Sequence, residues 1–92
     1  MVKSTAIVSN DDLNSFRSTG DYICGSSTIT TTLGNKPSVL VNAFRLEVRP
    51  CPYAPANVSQ FIYQHSSNLL FFRTATSGSN WSDWYKIEGV IV

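Results

Sequence analysis

Apolar and polar residues alternate through the middle of the chain, which is typical of β-strands with one solvent-exposed face. In segment 43–49, Phe44, Leu46 and Val48 alternate with three charged residues. Side chains two residues apart lie on the same side of a strand, so this segment predicts a sheet with one wet face. Segment 58–64 is predicted to be a second long strand.

Segment 69–76 is predicted to be a third strand, and it is apolar on both faces from Leu69 to Phe72. Such a strand is expected to be covered on both sides, by a helix, a second sheet or a neighbouring subunit. Shorter β-prone segments occur at 21–24, 28–33 and 81–87. Prolines at 50, 52 and 55 predict an exposed, irregular connection that contains Tyr53.

A helical pattern occurs near the start of the chain. Ser9 is a candidate N-cap, two aspartates follow it, and Leu13 and Phe16 form an apolar stripe that ends at Thr19-Gly20. The predicted fold is mainly β with a minor α part: one short N-terminal helix, then an antiparallel meander of about five strands. Residues 1–8 are expected to lead in from an upstream segment, and residues 9–92 to form a single domain.

Composition narrows the classes of partner. Only 14% of the 92 residues are charged, and such a surface favours self-association. The seven basic residues are scattered, with a net charge of +1, which argues against binding to nucleic acid or to an anionic membrane surface. No apolar run approaches the roughly 18 residues of a membrane span, so no membrane insertion is expected. The start lacks the pattern of a signal peptide, which indicates synthesis in a cytoplasm or a piece of a longer chain.

Candidate chemistry is sparse. Cys24 and Cys51 lack metal-ligand spacing. A disulfide between them is possible, but two reduced, buried thiols are favoured. His65 is the only histidine and lies in a predicted turn beside Ser66, where no triad or oxyanion site is evident. Asp83 lies between two tryptophans but has no paired carboxylate, as a glycosidase requires. We therefore expect no enzyme activity, no catalytic or metal-binding residue and no cofactor.

The two tryptophans, Trp81 and Trp84, lie close together at the end of the chain and precede Tyr85. Tryptophan suits a core, an interface or a sugar platform. In a regular strand Trp81 and Trp84 face opposite sides, so one can lie in the core and the other in a binding site. Packing of both in the core is favoured over a sugar platform.

Several segments occur in an order that resembles the pyocin-knob type of domain of phage tail fibres and phage-like bacteriocin fibres. The resemblance covers about residues 9–88. It is carried by these segments: Asp12-Leu13-Asn14, Thr19-Gly20-Asp21-Tyr22, Asn35-Lys36-Pro37, Phe44-Arg45-Leu46-Glu47-Val48, Gln60 with Tyr63-Gln64, Leu70-Phe71-Phe72-Arg73-Thr74 and Trp81-x-x-Trp84-Tyr85-Lys86-Ile87.

The resemblance implies a homotrimeric element near the distal end of a tail fibre, which contributes to attachment to a bacterial cell-surface glycan. Other tail or baseplate proteins are its implied partners. The implied location is the tail of a virion or phage-like particle, made in the host cytoplasm and acting outside the cell. Arg73 and the tryptophans are implied to be structural. Receptor contacts are then expected in loops, at Tyr53, His65 and Ser66, with Trp81 as a further candidate.

Three functions remain open from the sequence. The first is a receptor-binding knob, in which the apolar faces of segments 69–76 and 81–87 help to bury the trimer interface. The second is a purely structural spacer or trimerisation domain of the fibre. The third, a glycan-degrading fibre domain, depends on Asp83 alone.

Overall fold

The computed structural model describes residues 5–64, 69–76 and 80–88. Six strands form one sheet in sequential order, and the first pairs with the second in parallel while all other pairs are antiparallel. The predicted mainly β meander is thereby confirmed. The strands are β1 Thr5–Ala6, β2 Gly20–Cys24, β3 Phe44–Cys51, β4 Ala54–Gln64, β5 Leu69–Ala75 and β6 Tyr85–Glu88; a short helix, α1, covers Ser27–Thr30.

The predicted N-terminal helix is wrong. In its place a single 3-10 turn covers Leu13–Ser15, and Asp12 rather than Ser9 caps it. Asn10 has a φ of 70°, in the left-handed region that interrupts a right-handed helix. The backbone N–H of Leu13 donates to the Gly34 carbonyl at 3.0 Å. A bond to a distant segment therefore replaces the bond that a helix would make within itself.

Two other boundaries differ from the prediction. The segment expected to be a strand at 28–33 begins instead inside α1. There the hydroxyl of Thr30 is within hydrogen-bond distance of the carbonyl of Ser26 (3.1 Å), a local bond that competes with strand pairing. It is also within hydrogen-bond distance of the carbonyl of Asn42 (3.0 Å), in the connection before β3. The expected irregular connection at 50–57 is mostly strand, since β3 and β4 meet at Cys51 and Ala54 with a register shift after Pro50.

The hydrophobic core lies on one face of the sheet. Phe44, Leu46 and Val48 of β3 contribute to it, as the alternation predicted, and all are buried. The long connections before β2 and before β3 cover this face with Ile7, Leu13, Leu33 and Leu40. The sheet is thus closed on this side by loops rather than by a helical layer.

The other face of the sheet, which we name the open face, has a charged half and an apolar half. Arg49 lies 3.6 Å from Asp21 and 3.4 Å from Glu47 in the charged half, on β2 and β3. Cross-strand pairing groups the apolar half on β4 to β6: Phe61, Tyr63, Leu70, Phe72, Tyr85 and Ile87. Tyr85 is 55% exposed and Ile87 47% exposed, although Phe72 stacks on Tyr85 with ring centroids 5.4 Å apart.

A buried polar network joins the 3-10 turn to the sheet. Gln60 of β4 is fully buried, and its Nε2 donates to the carbonyls of Leu13 (2.7 Å) and Phe16 (2.9 Å). Its Oε1 accepts from Nε of Arg73, a buried residue of β5, at 2.8 Å. Buried polar groups require such partners, because an unpaired group pays its full desolvation cost.

Asp12 joins the turn to the 34–35 segment. Its Oδ1 accepts from the backbone N–H of Asn14 and from Nδ2 of Asn35, both at 2.8 Å. Asn35 has a φ of 59°, which asparagine tolerates better than most residues. The bond from Asn35 and then that from Asn14 hold the pKa of Asp12 below its usual value of 3.8.

Both cysteines are free thiols, as predicted. Cys24 is buried as expected, whereas Cys51, which was also expected to be buried, is half-buried at the end of β3. Cys24 lies opposite Phe44, the first residue of β3, whereas Cys51 is the last. Seven steps along a strand cover about 23 Å, far beyond disulfide reach. The fold therefore keeps the two thiols apart.

We expect Gln60→Leu to lower the free energy of unfolding by about 3 kcal/mol, because it leaves two carbonyls and the Nε–H of Arg73 without hydrogen-bond partners. Urea denaturation would measure the loss. Ile62→Val, which trims a buried side chain of the same strand without touching a hydrogen bond, is the control and should cost about 1 kcal/mol. Equal losses in the two variants would contradict a stabilising role for the network.

We expect Asp12→Ala to lower the free energy of unfolding by about 1 kcal/mol at pH 7, the usual cost of losing such a cap. The pKa of Asp12 is lower in the folded chain than in the unfolded chain, so its contribution is present above pH 4. It is lost as the pH falls through the folded pKa. Thermal melts should therefore show the deficit of Asp12→Ala shrinking below pH 4.

Asp12→Asn is the matched variant for this experiment, since it keeps an oxygen acceptor at the cap but carries no charge. Its deficit should be smaller than that of Asp12→Ala at pH 7. A deficit of Asp12→Ala that stays constant from pH 7 to pH 2 would refute the carboxylate's role.

Candidate functional site

A cleft of about 440 Å³ opens where the 3-10 turn, the 35–36 segment, β5 and the segment before β6 meet. Its size is within the roughly 300–1,000 Å³ of small-molecule sites. The lining is polar, with two indole rings among amides and charged groups. We name it the tryptophan cleft, and its lining residues are Asn14, Arg17, Asn35, Lys36, Arg73, Asn80, Trp81, Ser82, Asp83 and Trp84.

Arg73 contacts both indole rings of the tryptophan cleft. Its Cζ lies 4.4 Å from the ring centroid of Trp81 and 4.3 Å from that of Trp84, a distance at which cation–π attraction is strong. The opposite placement expected for a regular strand is therefore wrong. Trp84 packs against the core, as favoured from the sequence, and both tryptophans are half-buried. Residues 82–84 do not form a regular strand, and β6 begins only at Tyr85.

Hydrogen bonds fix both indoles in place. Nε1 of Trp81 donates to the carbonyl of Asn14 at 3.2 Å, and Nε1 of Trp84 donates to the carbonyl of Asn35 at 2.9 Å. Each tryptophan thus ties the last segment of the sheet to a different connection. The implied structural role of the motif agrees with these bonds, and neither indole N–H remains for a ligand.

Positive charge is concentrated in the tryptophan cleft. Cζ of Arg17 lies 5.0 Å from the ring centroid of Trp81. Burial is the main reason why the pKa of Arg73 is lowered to about 10; the charge of Asp12 opposes this shift, and that of Arg17 adds to it. Even so, Arg73 stays protonated at neutral pH, and its charge is only partly balanced by its surroundings.

The predicted site residues fall in different places. Trp81 lines the tryptophan cleft. Tyr53 lies at the turn between β3 and β4, 90% exposed and outside that lining. A hydrogen bond with Cys51 raises the pKa of the Tyr53 phenol. His65 and Ser66 lie outside the described residues, so their proposed contacts remain predictions.

Of the ten described residues that line the cleft, Trp81 alone was predicted as a site residue from the sequence. Asn14 and Arg17 belong to a segment that resembled a helix, and Asn35 and Lys36 to a plain turn. No spacing relates these segments to Trp81. The pairing of the two indole N–H groups with carbonyls in those segments could be found only from the structure.

The described part of the chain contains neither a group of metal ligands nor a helix that could span a membrane. Over residues 5–64, 69–76 and 80–88, no three His, Cys, Asp or Glu side chains are grouped closely enough to hold a metal ion. Within the same ranges, no helix has the length and apolar character needed to cross a bilayer. Asp83 is the sole carboxylate among the described residues that line the cleft.

No protein-family model and no curated protein sequence matches the chain. Two solved structures do. One is an R1 pyocin fibre of P. aeruginosa comprising C-terminal residues 323–701, and the other is an N-truncated R2-type pyocin tail fibre. Sequence identity is 19% with the first and 16% with the second, and the TM-score is 0.79 for both.

The similarity covers 97% of this chain in both comparisons. The chain spans only 22% of the R1 fibre fragment and 33% of the R2 fibre fragment. At such low identity the agreement is one of fold. It confirms the fold resemblance drawn from the ordered segments: this chain has the fold of one part of the pyocin tail fibres.

Proposed function

We propose that the chain is a domain of a phage or phage-like tail fibre that binds bacterial cell-surface glycan and has no enzyme activity. The observation that carries the first part is the fold similarity over 97% of the chain at a TM-score of 0.79. The fibres in those structures are pyocin tail fibres, and this chain would belong to the tail of a similar particle. It would be made in the host cytoplasm, join other tail or baseplate proteins and act outside the cell.

Glycan binding is supported by the composition of the tryptophan cleft. Sugars present hydroxyl groups and weakly apolar ring faces, so their sites combine amides and hydroxyls with aromatic rings. The cleft has Asn80 and Ser82, both exposed, beside Trp81. These side chains favour the cleft over Tyr53 as the proposed binding surface.

We propose that the domain has no enzyme activity because the described lining of the cleft has one carboxylate and not two. Glycosidases use two carboxylates on either side of the scissile bond. Asp83 is exposed and is the one carboxylate among the described lining residues. Incubation of purified bacterial surface polysaccharide with the chain should leave its length unchanged, and shortening that disappears in Asp83→Asn would instead favour the enzyme hypothesis.

A structural spacer is the alternative, and binding to bacterial cells separates it from a receptor-binding domain. We expect the 92-residue chain to bind an array of bacterial surface polysaccharides and to compete with intact particles for adsorption to cells that carry a bound polysaccharide. Asn80→Ala should weaken binding about fivefold, the loss of one hydrogen bond of about 1 kcal/mol.

Tyr53→Ala is the matched variant, because it also truncates an exposed polar side chain but lies outside the cleft. It should bind as the parent chain does. Loss of binding in Tyr53→Ala alone would move the receptor surface to the loop between β3 and β4. If the parent chain bound neither any polysaccharide nor any cell, this result would favour the structural spacer.

We further propose that three copies associate through the apolar half of the open face. Phe61, Phe72 and Tyr85 follow one another across β4, β5 and β6, and Leu70 pairs with Ile87 beside them. Exposure of Tyr85 and Ile87 at about half of their surface is costly for a lone domain, and burial recovers roughly 25 cal/mol per Å².

Size-exclusion chromatography with light scattering should give the mass of three chains. Ile87→Lys, which places a charge in the apolar half, should give monomers. Ile23→Lys is the control, because Ile23 is similarly exposed but lies on β2, within the charged half of the open face and opposite Arg45. A stable monomer of the parent chain would remove the trimer proposal.

A further inference from the structure

The charge of the tryptophan cleft suggests a narrower class of ligand than glycan in general. Its lining holds three cationic side chains, Arg17, Lys36 and Arg73, and one carboxylate, that of Asp83. The carboxylate of Asp12 lies behind this lining and also acts on Arg73. The chain as a whole has a net charge of only +1. Positive charge is therefore concentrated where the cleft is.

Contacts hold two of these cations in fixed positions. Nζ of Lys36 donates to the carbonyl of Leu40 at 2.9 Å. The guanidinium of Arg73 lies against both indoles and donates through Nε to Gln60. Because these side chains are already ordered, binding of an anion costs little further side-chain entropy.

One N–H-bearing nitrogen of Arg73, Nη2, has no hydrogen-bond acceptor among the described residues. The residue is 4% exposed, and its Nη2 is buried without a hydrogen-bond partner among the described residues. A buried guanidinium with an unpaired N–H is costly, because desolvation is not repaid by a bond. Asp12 offsets part of the charge of Arg73, and an anion bound within the cleft would offset more of it.

A second atom of the lining needs a donor rather than an acceptor. Oδ1 of Asn14 is buried and has no hydrogen-bond partner within the described part of the chain. An anion offers no donor to this oxygen, whereas a sugar hydroxyl does. The lining of the cleft thus has one donor nitrogen, Nη2 of Arg73, and one acceptor oxygen, Oδ1 of Asn14, without hydrogen-bond partners among the described residues. Exposed Asn80 and Ser82 belong to the same lining.

We propose that the tryptophan cleft binds a saccharide unit that carries an anionic group, a carboxylate or a phosphate. Arg17 and Arg73 attract the anionic group, and the Asn14 side chain accepts from a ring hydroxyl. This inference rests on the proposed glycan-binding function and adds the charge of the ligand to it.

Titrations followed by ¹H–¹⁵N NMR test the proposal, with the indole N–H signals of Trp81 and Trp84 as reporters. The probes are glucuronic acid, glucose 6-phosphate, glucose and inorganic phosphate. At least one of the two anionic sugars should bind five times more tightly than glucose or inorganic phosphate. The first two probes separate a carboxylate from a phosphate preference.

Variants connect that binding to the cleft. Arg17→Gln should weaken binding of the better anionic sugar about tenfold, the value of one charge-assisted hydrogen bond, and Arg17→Lys should retain most of it. Arg45→Gln is the matched control, since Arg45 also lies over an aromatic ring, that of Tyr63 at 4.5 Å, but on the open face. The Arg45→Gln variant should bind the better anionic sugar with the affinity of the parent chain.

The outcomes distinguish this inference from the function on which it rests. Adsorption to cells without tighter binding of either anionic sugar would overturn the inference and leave glycan binding in place. Equal binding of inorganic phosphate and glucose 6-phosphate would also overturn it, because the sugar would then contribute nothing. Failure to adsorb to any cell or polysaccharide would overturn the proposed function itself, whatever the sugars do in solution.

Discussion

The hydrogen bond between Arg73 and Gln60 is the contact on which the rest of the domain depends. Gln60 turns its amide towards the 3-10 turn and holds the backbone that covers the core. Arg73 in turn supports both indoles, whose N–H groups bind two separate connections. Core, cleft and the last strand are therefore joined through one buried donor and acceptor pair.

The strands could be predicted from the sequence because their signal is local. Alternation in segment 43–49 depends only on which face each side chain takes. The helix could not be excluded in this way, since its capping residues and apolar stripe were present. What prevented it was the bond from Leu13 to Gly34 and the left-handed backbone at Asn10. Tertiary contacts of this kind override a weak local preference.

The site was harder to predict than the fold. Trp81 was identified because tryptophan is rare and its roles are few. Asn14 belongs to a segment of the resemblance, but neither Asn14 nor Arg17 has a local pattern that indicates a binding site. Their significance comes from the approach of three segments to one place. The irregular course of residues 82–84, which brings both indoles to Arg73, also has no signature in residue spacing.

The tryptophan cleft and the apolar half of the open face lie on opposite sides of one thin sheet. In the trimer that we propose, the open faces meet at the centre and three clefts point outward. Linked sites act with avidity, because one bound cleft raises the effective concentration of surface glycan at the next, and overall binding can exceed single-site affinity by about 10²–10⁴. Weak affinity of each cleft would then be sufficient for firm adhesion of the particle. Because each single contact is weak, it can also dissociate and form again at a neighbouring glycan.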